Sequence, residues 1–67
     1  MKLSTRWAQL TTAEREALAA KVQINPKYLY QIAVRWRGKR ASVGLISKLA
    51  EADPKLTIKD MVAEFAD

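Results

Sequence analysis

Between Lys27 and Arg40 the chain places two lysines, three arginines, the rings of Tyr28, Tyr30 and Trp36, and the amide of Gln31, with no carboxylate among them. These groups recognise rather than react. A glutamine amide can make paired hydrogen bonds to an adenine edge, cations take phosphate oxygens, and aromatic rings stack on sugars or bases. The groups that would break bonds are missing. With zero histidines and zero cysteines, the usual general base near neutral pH, thiolate nucleophiles and the commonest metal ligands are all absent. Ser4, Ser42 and Ser47 have no base near them in sequence, and no spacing certifies a carboxylate pair. No enzyme, cofactor, metal site or small-molecule substrate is expected.

The charge is unevenly spread. The whole chain carries +5, but residues 17 to 50 contain no acid and seven cations: Lys21, Lys27, Arg35, Arg37, Lys39, Arg40 and Lys48. Residues 51 to 67 hold five acids against Lys55 and Lys59. A phosphate polyanion would be drawn to the middle and repelled by the tail, although a basic surface can also be merely solvated. Spacing has to decide between these.

Apolar residues recur at helical intervals, and no stretch alternates as a strand would. Leu3 and Trp7 fit a short helix over about 3 to 9. Thr11-Thr12-Ala13-Glu14 reads as a capping box that opens a second helix running to Lys21. Asn25-Pro26 opens a third, since Asn is a good N-cap and Pro suits the first helical position. Its pattern carries to Arg37, with Gly38 as a left-handed stop. Ser42 opens a fourth helix that ends at Asp53 before Pro54. Thr57 and Asp60 open a fifth whose stripe of Ile58, Met61, Val62 and Phe65 must be buried, on its own domain or in a dimer. At 67 residues the chain allows one domain, 1–67, with a small core, because eleven of its hydrophobic residues are alanines. No apolar run reaches membrane-span length and no signal-peptide core follows Met1, so a soluble, cytoplasmic protein is expected.

The few residues between the second and third helices suit a steep crossing, as in a helix-turn-helix with its core at about 12–37. On the third helix Leu29, Ile32, Ala33 and Trp36 form one stripe, which favours Trp36 in the core or an interface over contact with DNA. Lys27, Tyr30, Gln31 and Val34 form the opposite face, with Tyr28 and Arg35 at its margins. Tyr30 could stack on sugar, meet a thymine methyl or pack on a neighbour. Tyr28 is expected to bury its ring at the helix junction and offer its hydroxyl to phosphate. Arg35, Arg37, Lys39 and Arg40, directly after this helix, are expected on backbone phosphates.

The run from Leu18 to Ala33, LAAKVQINPKYLYQIA, resembles the helix-turn-helix of Cro and lambda-repressor-like DNA-binding proteins. The wider run from Leu10 to Ala33, with Gly38-Lys39-Arg40-Ala41-Ser42 after it, is similar to YdaS-like phage regulators and antitoxins. The resemblance implies an all-α, five-helix domain of phage or prophage origin that regulates transcription, acting as a homodimer on a palindromic operator in double-stranded DNA. By position it would put Lys27, Tyr30 and Gln31 on base edges and Arg15 on phosphate. Two departures stand out. Gln23 occupies a turn position where the family prefers Gly and the backbone takes positive φ. Val34-Arg35-Trp36-Arg37 lengthens the connection before Gly38, which reads as an extra turn on a recognition helix of about 26–35. The competing expectation is a protein-interaction module, such as an antitoxin or phage protein, that binds an acidic protein partner.

Overall fold

The computed structural model describes residues 1 to 66. Five α-helices follow in order, α1 (Leu3–Gln9), α2 (Thr12–Lys21), α3 (Pro26–Ala33), α4 (Val43–Ala52) and α5 (Ile58–Phe65), with a 3-10 turn at Trp36–Gly38. There is no strand among the described residues. Local chemistry starts four of the helices. The Thr11 hydroxyl accepts the Glu14 N–H at 3.2 Å, and the Glu14 carboxylate accepts the Thr11 N–H at 2.9 Å, completing the capping box. Asn25, Ser42 and Thr57 likewise accept from the backbone N–H of Lys27, Leu45 and Asp60.

The helices close around one apolar cluster. Leu3 and Trp7 of α1 meet Leu18 and Ala19 of α2, Leu29 and Ile32 of α3, Leu49 of α4, and Met61 and Phe65 of α5. Ala19 is fully buried, and its lack of a longer side chain lets α3 come close to α2. The turn between these helices folds back tightly. The Ile24 N–H donates to the Ala19 carbonyl at 3.0 Å, and Gln23 takes the left-handed conformation (φ 60°).

Three expectations need correction. First, α3 ends at Ala33 rather than Arg37. Val34 caps it, and Arg35 turns left-handed (φ 55°). The break accompanies a contact far along the chain: Arg35 Nη1 donates to the Glu64 carbonyl at the end of α5, at 2.9 Å, and its guanidinium stands 5.8 Å from the Phe65 ring centre. A continuous helix would aim Arg35 elsewhere. Second, with the helix ended, Trp36 leaves the Leu29/Ile32 stripe and stands 44% exposed, outside the core, while Tyr28 is 45% exposed rather than buried at the junction. Third, the α5 stripe is only partly buried on its own domain. Met61 and Phe65 enter the core, but Ile58 and Val62 remain 52% and 48% exposed.

Candidate nucleic-acid interface

The outward face of α3 is built by subtraction. Leu29, Ile32 and Ala33 are drawn into the core, so Lys27, Tyr30, Gln31 and Val34, spaced i, i+3, i+4 and i+7, share the opposite side. Lys27, Tyr30 and Val34 are exposed and Gln31 is half-buried. The face therefore offers an ammonium, a phenol and an amide with one aliphatic patch, in reach of a flat polar edge or a methyl group.

Beyond Ala33 the backbone turns back on itself. Arg35, Arg37 and Gly38 all have positive φ, at 55°, 54° and 72°. This brings the side chains after α3 back beside its first turn. The Arg37 guanidinium lies 4.4 Å from the Trp36 ring centre, and Lys39 Nζ lies 5.4 Å from the Tyr28 ring and 5.9 Å from the Trp36 ring. Two exposed rings and two cations thus form one cluster. Tyr28 also borders a half-open cavity of about 330 Å³ whose floor is Val22, Ile24, Ile32 and Leu45 and whose rim includes Arg40, Ser42, Gly44 and Lys48. No carboxylate lines it.

The expected phosphate contacts therefore fall into two sets. Tyr28, Arg37 and Lys39 are brought together, with Arg40 across the cavity rim. Arg15 and Arg35 are turned inward. Arg15 donates from Nε and Nη2 to the Trp7 carbonyl at 3.2 and 2.8 Å, and its guanidinium stacks 4.8 Å from the Trp7 ring centre. It clamps α1 to α2. Lys48 was not singled out from the sequence, although it belongs to the acid-free stretch, because its partner residues on the rim come from α3 and the preceding loop.

Among the described residues, no group of three or more His, Cys, Asp or Glu is placed to hold a metal ion, and no helix is long and apolar enough to cross a membrane. No protein-family model, no curated protein and no solved structure matches the chain.

Proposed function

We propose that the protein is a sequence-specific regulator of transcription, a Cro-like repressor that sets the outward face of α3 in the major groove of double-stranded DNA. One observation carries this reading. Lys27, Tyr30, Gln31 and Val34 share a single helix face, and the cation-and-ring cluster of Tyr28, Trp36, Arg37 and Lys39 adjoins the same helix with no acid between them. A groove reader needs this division of labour, with base-edge groups on the helix and phosphate groups at its flank. The capped, tightly turned α2–α3 pair would hold the helix rigidly enough to read.

The test is selection of bound duplexes from a random pool at physiological salt. A recovered two-fold symmetric site, with half-sites about one helical turn apart, supports a dimeric reader. Gln31→Ala should then relax the preference at one base pair per half-site, costing about 1–3 kcal/mol there. An equal loss on every sequence would make Gln31 a positioning residue. The exposed rings of Tyr28, Tyr30 and Trp36 also suit an acidic protein surface. That second reading takes over if no duplex is enriched.

A further inference from the structure

We propose that Trp36 is a positioning residue for phosphate capture, its ring and that of Tyr28 seating the Arg37 and Lys39 cations for the oxygens of a polyanion. The inference rests on the DNA reading only for the identity of that polyanion. Trp36 has no structural role in the core to explain it, being nearly half exposed. Its ring is instead approached by two cations, Arg37 at 4.4 Å and Lys39 at 5.9 Å, and Lys39 also lies 5.4 Å from the Tyr28 ring centre.

Free arginine and lysine side chains on a surface must be ordered when a phosphate binds, and that ordering opposes binding. Cations already resting on rings have lost much of that freedom. A ring neutralises no charge, so the cations keep their full attraction for phosphate. The backbone adds a second observation. Two non-glycine residues, Arg35 and Arg37, are held at positive φ within three positions, a conformation that side chains avoid unless the surroundings impose it. At Arg37 the strained turn is what lays the guanidinium back over the neighbouring indole. Gly38, also at positive φ, completes the reversal that returns Lys39 to Tyr28.

The experiment compares the full chain with Trp36→Ala, Trp36→Phe and Arg37→Gly, using two probes, inorganic tripolyphosphate and a random-sequence duplex, over a range of salt. Trp36→Ala changes no charge, so a simple electrostatic surface predicts unchanged binding. The clamp predicts about a three- to tenfold loss for both probes, with the melting temperature kept and Trp36→Phe recovering most of the loss. Arg37→Gly should be at least as stable as the parent, since glycine accepts its φ of 54°, yet bind more weakly with a salt slope shallower by about one unit. In the free protein, the Lys39 side-chain protons should show upfield ring-current shifts that Trp36→Ala reduces; this reports on the seat without any ligand.

The clamp is overturned if Trp36→Ala binds tripolyphosphate and duplex as the parent does, if Trp36→Phe is no better than Trp36→Ala, or if the parent binds neither probe. Binding of tripolyphosphate without duplex would sink the DNA reading and leave the clamp standing. Duplex binding indifferent to Trp36 would do the reverse.

Discussion

Gln23 carries the plainest residue-scale test. Its φ of 60° is one that glycine adopts freely and a glutamine does not, and the turn leaves no alternative because the Gln23 and Ile24 amides are both bonded back to α2. Gln23→Gly should stabilise the fold by about 1 kcal/mol at most, the gain being trimmed by glycine's greater freedom when unfolded. For a chain this size that is a rise of roughly 4–8 °C per kcal/mol in Tm. An unchanged or lower Tm would remove the strain argument. Asp53 tests electrostatics. Burial pushes its carboxyl up, but Arg6 Nε at 2.7 Å, the Lys55 N–H at 3.0 Å and the nearby positive charges outweigh this and hold it below the usual carboxylate range. A lowered folded-state pKa means stability that is fully present above the unfolded value of about 4 and lost as pH falls through the folded one. The parent should therefore hold its Tm above about pH 5 and lose it in acid. Asp53→Asn should lose about 2–3 kcal/mol at neutral pH, because Arg6 is left poorly paired in a site where it is only 18% exposed, and should show a flatter acid limb. Urea titrations of both chains at several pH values measure this directly.

Between elements, what the sequence reveals depends on how far the partner lies. The starts of α2, α3, α4 and α5 were legible because each cap and its amide are within three residues, so residue type and spacing suffice. The start of α1 was legible only from the spacing of Leu3 and Trp7, with no cap signal to mark it. Lys2 offers no side-chain cap, and the Leu3 and Ser4 amides are instead taken by the two carboxylate oxygens of Glu64, at 2.8 and 3.0 Å, from the far end of the chain. The end of α3, which also lies beside a distant partner, was not legible. Residues 34 to 37 have ordinary helix propensity, but the same C-terminal turn of α5 accepts Arg35 through the Glu64 carbonyl, and the helix stops. The shared outward face of Lys27, Tyr30, Gln31 and Val34 does not depend on where the helix ends, because these residues precede the left-handed turn at Arg35. The flanking cluster does, since Trp36 meets Tyr28's cation only once the chain reverses. Glu64→Ala should accordingly destabilise the fold by about 1–2 kcal/mol, as loss of a helix cap does. Its signature is local: amides in the first turns of α1 should exchange faster with solvent than those of α2. Equal loss of protection in both would mean Glu64 acts on the whole core instead.

The whole molecule measures 30 × 26 × 20 Å, and that size bears on how it could meet a symmetric site. Two copies in contact have centres between roughly the short and long dimensions apart. Half-sites repeat at about 34–36 Å, so both α3 faces can reach successive major grooves only if they lie away from the contact. On the proposed reading, the exposed Ile58 and Val62, one helical turn apart on α5, would supply the apolar strip for that contact, and they belong to a helix in the acidic segment that phosphate would repel. A stable dimer needs about 500 Å² from each partner, roughly one-eighth of this chain's 4256 Å² surface. Two half-exposed aliphatic side chains supply only part of that. The free protein should therefore be a monomer near 7.6 kDa that pairs when DNA holds two copies side by side. The double variant Ile58→Glu/Val62→Glu should keep its Tm, because both positions are exposed, and keep contact with a single half-site. It should lose the second copy on a full site, visible as a halved protein-to-DNA ratio in sedimentation. If the variant still loads two copies with the parent's cooperativity, α5 is not the contact, and the exposed Val43 at the start of α4 becomes the surface to test.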